Sequence, residues 1–323
     1  MGNGAGTSFL TWFFCSVLNS SPIFRSRSIE CFVGADRKDY NLERKILIVD
    51  GSNLLFRMFF GMPARIYNEQ GIGIWGVLGF VGALLKMVRQ TEPTHLAVFF
   101  DGENENERTL LDSEYKANRI DYSKVNDDEN PYSQLPYIYQ ALSYLGIAYA
   151  ETTDCEVDDW ISSYTNLYGK ENKIIVSSFD SDFFQLLNNN VSILRYRGEK
   201  SVIYTPVYLR EKYGIEPSQY ADFKSLTGDK ADNIIGAEKI GIKTASALLQ
   251  EFGTLDNIIR NADDIKKQSV RKSITKNSER LMRNLKLIKL DSIRPIPFEL
   301  DELQFSYNGI STTEVLRAIG LKQ

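Results

Sequence analysis

Three apolar runs of the 323-residue chain stop on aspartate: KILIVD at Asp50, HLAVFFD at Asp101, and KIIVSSFDSD at Asp180 and Asp182. Short apolar runs of this kind read as buried strands, so each carries carboxylate to the rim of a core. Two further groups of acids join them. DCEVDDWI opens a helix with Glu156, Asp158 and Asp159, and LTGDKADNI holds Asp229 and Asp232. Glu156 and Asp159 share a helical face at a spacing of three, and Asp229 and Asp232 have the same spacing. Helix-dipole and N-cap preferences account for one or two of these acids without a ligand. They do not account for three strands that each end in Asp. Nine converging carboxylates raise one another's pKa and require a cancelling charge. Oxygen-only ligation favours Mg²⁺, with Mn²⁺ as its substitute, over zinc, and two such ions about 3.5–4 Å apart clamp the attacking and leaving oxygens of a phosphodiester.

The segments that must position these acids alternate in kind. Strands at KILIVD, THLAVFFD, IAYAET, KIIVSSFD, VSILRY and KSVIYT are separated by helical stretches at residues 71–90, 130–146 and from Asp154. Alternation of this type implies an α/β fold with a mostly parallel sheet, whose ligands gather beyond the carboxyl ends of the strands. From about Pro206 the pattern becomes helical. The expected organisation is an extension over residues 1–44, an α/β core over 45–205 and a helical region over 206–323. Residues 102–131 form a long polar insertion of the kind that is usually functional.

Composition narrows the chemistry. The single histidine, His95, leaves little room for His-rich zinc sites or imidazole-based triads. Cys15, Cys31 and Cys155 are odd in number, lack metal spacing and read as reduced thiols. No run of about 18 apolar residues is present, so a membrane span is not expected. The net charge of −4 argues weakly against nucleic acid, yet nine Lys/Arg and one acid lie between Lys266 and Lys289. Such a run is a solvated helix face or a duplex-binding surface.

Taken in order, VDGSNLLFRMFFG, FDGENENERTLLDSEYKANR, DCEVDDWI, SSFDSDFFQL and DFKSLTGDKADNIIGAEKIGIKTASALLQEFG resemble the 5′ nuclease (flap endonuclease) domain of bacterial DNA polymerase I and its stand-alone relatives. The likeness runs from about residue 45 to about 290. It implies a PIN-like 5′ nuclease core, a helical arch at about 102–131 and a C-terminal helix–hairpin–helix region. It also implies that Asp50, Asp101, Glu156, Asp158 and Asp159 lean towards one metal ion, and Asp180, Asp182, Asp229 and Asp232 towards a second. Arg108, Tyr115 and Lys116 become the catalytic set of the arch, the cations on the scissile phosphate and the tyrosine stacked on a base. Arg57, Arg119, Lys239, Gly241, Lys243 and Thr244 become the DNA contacts, and a K⁺ at the hairpin carbonyls is a further candidate. Two departures stand out. Lys239 occupies a turn position where the family usually has glycine, and Phe179 replaces part of a Thr-Gly pair before the first Asp of SSFDSD.

The implied activity is metal-dependent 5′–3′ exonucleolytic or flap-endonucleolytic hydrolysis of DNA in replication and repair. The implied partners are DNA with a 5′ flap, a 5′ end or a junction, with RNA–DNA primers as a further candidate, no membrane and a monomeric protein. The setting is the cytoplasm of a bacterium, near the nucleoid, or an organelle if residues 1–44 are a transit peptide. Two other readings remain open. A DNA-junction binding module would lack a metal acid, and none is missing. An Asp-based phosphatase would use the D-x-D of FDSD but has no need of a hairpin or a basic tract.

Overall fold

The computed structural model describes residues 44–102, 107–291 and 293–322. The expected extension, apart from Arg44, lies outside the described residues, as do Cys15 and Cys31.

A six-stranded sheet forms the centre, built from β1 (Lys45–Asp50), β2 (His95–Phe100), β3 (Ala148–Glu151), β4 (Lys173–Ser177), β5 (Val191–Arg195) and β6 (Val202–Tyr204), in the order β3-β2-β1-β4-β5-β6. The first five strands run parallel, and β6 pairs antiparallel with β5. The strands read as continuous apolar runs because both faces are covered. Ile46 and Ile48 enter one core while Leu47 and Val49 enter the other, and Ala97 and Phe99 alternate with Leu96 and Val98 in the same way.

Three helices follow the first strands: α1 (Gly51–Gly61), α2 (Trp75–Thr91) and the five-residue α3 (Glu107–Leu111). After them come α4 (Leu135–Tyr144), α5 (Val157–Tyr168) and α6 (Pro206–Tyr213). Helix α2 buries residues on nearly all sides and stops where Glu92 adopts φ 46 ahead of Pro93. The helical region contributes α7 (Tyr220–Thr227), a small hairpin of β7 (Gly228–Asp229) and β8 (Ile234–Ile235), α8 (Ile242–Phe252), α9 (Leu255–Arg260) and α10 (Gln268–Ile288). Helices α7 to α10 share the core that holds Ile46, Phe99 and α5. Helix α11 (Thr312–Ala318) returns to the opposite face, where Val315 and Leu316 pack in the core of α1, α2 and α4.

The insertion at 102–131 is less regular than an arch of helices would be. Among the described residues it holds α3 and a single 3₁₀ turn, Tyr122–Lys124, and the rest is turn and extended chain. Helix α5 starts at Val157 rather than at Asp154, because Glu156 is its N-cap. No helix among the described residues is long and apolar enough to cross a membrane.

Candidate metal centre and nucleic-acid surface

Strand order reverses direction between β1 and β4, which makes their carboxyl ends the switch point where crevices open in parallel sheets. Asp50 ends β1, Asp101 follows β2, and Asp180 and Asp182 follow β4. Asp50 is also the N-cap of α1. Its Oδ1 accepts from the Asn53 N–H at 2.9 Å, and its Oδ2 accepts from the Ser178 hydroxyl at 2.7 Å. Asp101 accepts from the Val157 N–H at 3.0 Å, which ties β2 to the start of α5. The loop after β4 is held by Phe183 and Phe184, 0% and 2% exposed. Each such burial contributes about 1.5–3 kcal/mol and so fixes the acids beside it. Asp182 donates its backbone N–H to Asp180 Oδ1 at 2.8 Å.

Asp50, Asp101, Glu156, Asp158 and Asp180 line one cavity of about 590 Å³, together with Lys116 and Arg119. Asp182, Asp229 and Asp232 form an adjoining group whose carboxylate oxygens lie within 4.8 Å of one another. The hairpin of β7 and β8 presents the last two. It closes tightly because a Cβ on Gly236 would meet Gly228 N at 2.4 Å, so only glycine fits there. Asp180 therefore sits with the acids of β1, β2 and α5, although its charge also acts on Asp182 and Asp232. Asp159 does not line this cavity. It completes a capping box with Glu156, accepting from the Glu156 N–H at 3.2 Å, and takes the Arg108 guanidinium at 2.7 and 2.9 Å. The helix-start account of this acid is thus realised in the structure.

Burial and the neighbouring Asp101 push Asp50 up to about 7. Burial and then Asp180 raise Asp158, and burial also raises Asp182 although Lys224 pulls the other way. For Glu156, burial acts upward but Lys116 and Arg108 outweigh it and hold the carboxyl below its ordinary value. Asp229 is likewise lowered, because Lys224 outweighs its burial. Asp50, Asp158 and Asp182 thus hold their protons more tightly than free carboxyls, and hard, oxygen-ligated dications fit the donor set.

Protein cations already enter it. Lys116 Nζ reaches Glu156 at 2.6 Å, Arg108 reaches Glu156 at 2.9 Å, and Arg119 reaches Asp232 at 3.3 Å. The turn that carries Lys116 and Arg119 is pinned to the hairpin: Lys116 donates its N–H to the Asp232 carbonyl at 3.1 Å, and Asn233 donates to the Glu114 carbonyl at 2.8 Å. Lys116 itself has φ 56, a strained region for a residue with a side chain. Lys224, on α7, was not foreseen from the sequence. It is 6% exposed and ion-paired with both Asp182 and Asp229. The available signal was a lone lysine inside YADFKSL, a helical run with no solvent face.

The expected base-stacking role of Tyr115 is corrected. Its ring is 6% exposed and packs with Ala221, Ile234, Leu287 and Ile288, so it offers no free face for a base; its hydroxyl instead donates to Glu156 at 3.2 Å. Arg57 lies over the Phe179 ring, 3.2 Å from its centroid, and not among the acids. His95 is buried at the amino end of β2, away from the carboxyl-end crevice. At the second surface, Lys239 adopts φ 64, the left-handed conformation its glycine-type position demands. Gly241 is the N-cap of α8, and Lys243 is exposed on its first turn with Thr244 half-buried behind it. Helix α10 buries Val270, Ile274, Asn277, Leu281 and Asn284 and turns Lys272, Lys276 and Lys286 outward, with Lys289 exposed just after its end. Arg280 donates to the Gly236 carbonyl at 2.9 Å and Arg283 pairs with Asp112 at 3.1 Å, so these two bases brace neighbouring segments.

Comparison with known proteins places this geometry. Residues 45–214 match the family described as 5′-3′ exonuclease, N-terminal resolvase-like domain, and residues 215–310 match 5′-3′ exonuclease, C-terminal SAM fold. DNA polymerase I of Streptococcus pneumoniae is 32% identical over 270 residues, covering 82% of this chain and 30% of the relative. The thermostable DNA polymerase I of Thermus thermophilus is 32% identical over 257 residues, covering 79% and 30%. The chain thus spans under a third of the length of these relatives. Among solved structures, the 5′-exonuclease of T5 with bound divalent metal ions (zinc) superposes with TM-score 0.64 at 25% identity, covering 76% of this chain and 90% of that one. The catalytic core of Rad2 in complex with DNA substrate shares the fold, with TM-score 0.55 at 17% identity, covering 86% and 88%.

Proposed function

The chain belongs to the 5′–3′ exonuclease family, and from that premise we propose that it hydrolyses DNA phosphodiesters near a 5′ end, flap or single-strand/duplex junction, using two Mg²⁺ ions that Mn²⁺ can replace. The observation that carries the reading is the meeting of acids from β1, β2, β4, the start of α5 and the β7–β8 hairpin at one end of the sheet. Divalent ions, when bound, supply Lewis acidity towards the attacking water and the departing 3′ oxygen. Asp50, Asp101, Glu156, Asp158 and Asp180 would hold one ion, and Asp182, Asp229 and Asp232 the other, with Asp180 between them. Asp159 acts by orienting Glu156 and Arg108. Lys116 and Arg108 release the carboxylates and turn to the phosphate, where an ammonium neutralises charge and a guanidinium grips two oxygens. Ser178 and Asn53 keep the Asp50 carboxylate aimed.

The left-handed turn at Lys239, the N-terminus of α8 with Lys243 and Thr244, and the outward bases of α10 make the duplex surface. Backbone N–H groups at a helix start take phosphates, and carbonyls of the same turn offer a K⁺ site. RNA–DNA primers are substrates of the same geometry at a 5′ end. We place the α/β nuclease core at 45–205 and the helical region with the duplex surface at 206–323, which also lends Asp229 and Asp232 to the acidic site. A 5′-labelled flap DNA incubated with the protein tests the reading. Cleavage in Mg²⁺ and none in EDTA is expected; binding without cleavage in Mg²⁺ would make the protein a junction-binding module instead.

A further inference from the structure

The carboxyl rim of the sheet changes sign from one strand to the next. Beyond β4 it carries Phe179 and Asp180; beside it, β5 ends on Arg195, with Arg197 two residues on. Arg57, two turns into α1, meets them from below. All three guanidinium carbons surround one ring: Arg57 lies 3.2 Å, Arg197 5.2 Å and Arg195 5.9 Å from the Phe179 centroid. Arg195 is also flanked by Phe184 at 4.7 Å and Tyr204 at 5.3 Å.

This cluster has no carboxylate of its own. Among the described residues, none of the ion pairs includes any of the three. The Nε–H groups of Arg57 and Arg195 are buried without an acceptor among the described residues. Burial, and after it the like charges of Arg197 and Arg195, lower the pKa of Arg57. Aromatic packing holds such cations in place, but like charges gathered this closely favour an anion between them. A guanidinium held against a ring keeps a fork of N–H donors that can take two phosphate oxygens. Phe179 is the hub of the cluster.

We propose that Arg57, Arg195 and Arg197, arrayed on Phe179, form a phosphate-binding site beside the acidic cavity that holds a non-scissile phosphate of the substrate strand. The inference rests on the nuclease reading above and adds to it a contact that sets where the strand lies on the rim. Asp180 adjoins Phe179 in the chain, so a strand with its scissile phosphate over the acids sets a neighbouring phosphate over the arginines. That phosphate is a terminal 5′-monoester or an internal diester, both with the same tetrahedral oxygens.

Arg197 is exposed, so its substitution leaves the core intact and gives a clean test. Binding of flap DNA in EDTA is measured by fluorescence anisotropy for wild type, Arg197→Glu and Arg195→Gln/Arg197→Gln, each with 5′-phosphate and 5′-hydroxyl strands. A thermal melt of each variant checks the fold. Arg197→Glu is expected to weaken binding about tenfold and to make the log-log salt slope shallower by about one. A loss confined to 5′-phosphorylated DNA assigns the monoester, and an equal loss on both assigns the diester. Affinity within twofold of wild type and an unchanged slope for Arg197→Glu on both DNAs would overturn the site. If wild type cleaves flap DNA in Mg²⁺ while the variants bind as it does, only this proposal fails; if wild type neither binds nor cleaves, the nuclease reading fails with it.

Discussion

Two corners of the acidic site are neutralised by cations of different origin. At Glu156 and Asp159 the cations are Arg108 and Lys116, carried by an insertion of turns and one five-residue helix. At Asp182 and Asp229 the cation is Lys224, fixed on α7 and buried among Tyr220, Phe223 and Leu226. The contrast is one of mobility. A segment held by polar contacts and the one buried ring of Tyr115 opens at lower free energy than a lysine within a packed helix, which moves only with its core. Arg108 and Lys116 are therefore suited to leave their acids for a phosphate, and Lys224 is suited to stay. On the proposed reading, the first corner exchanges its cations for a phosphate, and the second is a fixed charge balance around which an added ion must fit.

Substituting the two cations in turn sharpens this contrast. Lys224→Met leaves two recessed carboxylates without their partner, and breaking a buried pair costs about 3–5 kcal/mol. The expected result is a large fall in Tm in EDTA, partly restored by Mg²⁺; an unchanged Tm would break the idea of a fixed balance. Arg108→Met removes charge-assisted hydrogen bonds from a segment that can relax, with an expected cost of about 1.5–3 kcal/mol. It should reduce cleavage more than it reduces stability, as comparison of kcat with Tm will show. A stability loss equal to that of Lys224→Met would erase the difference between the corners.

The pH dependence gives a third test. Asp50 has its folded pKa raised to about 7 from 3.8. Its contribution to stability is present at pH below the lower value and is lost as pH rises through the upper one. The metal-free protein should therefore melt at a lower temperature at pH 8 than at pH 5, and saturating Mg²⁺ should shrink that difference, since ions bind the deprotonated acids. Melting curves at both pH values with EDTA or Mg²⁺ check this, and a metal-free Tm that rises towards pH 8 would oppose it. The smallest effect is expected away from both corners: Lys243→Ala, exposed on α8, should weaken duplex binding uniformly and reduce the salt slope by about one.

Much of this was legible in the sequence, for identifiable reasons. KILIVD and HLAVFFD announce strands because both faces are buried and their interiors are apolar throughout, and KIIV does the same ahead of Ser177 and Ser178. Their terminal acids follow directly from where such strands stop. The roles within acid-rich stretches were less legible, because the pairing partners come from far along the chain. Asp159 is drawn into a capping box and by Arg108, 51 residues away, and Tyr115 is buried by α10 residues. Lys224, Arg195 and Arg197 were invisible for the same reason: a single cation gains meaning only from what the fold sets beside it. Lys239 was the opposite case. The sequence marked it as a non-glycine residue at a glycine-type turn, and the structure gives it φ 64, in the left-handed region.

The claim beneath the account is that the converging acids hold dications that carry out hydrolysis, and Asp180, which lies between the two groups, is the residue to question. The direct measurement is the single-turnover cleavage rate of 5′-labelled flap DNA in Mg²⁺ for wild type and Asp180→Asn, with binding measured in parallel. Asp180→Asn is expected to lower the rate on the order of 10³-fold or more, as losing several kcal/mol of charge stabilisation requires, while the affinity for the junction persists. A near-normal rate in Asp180→Asn would contradict that claim.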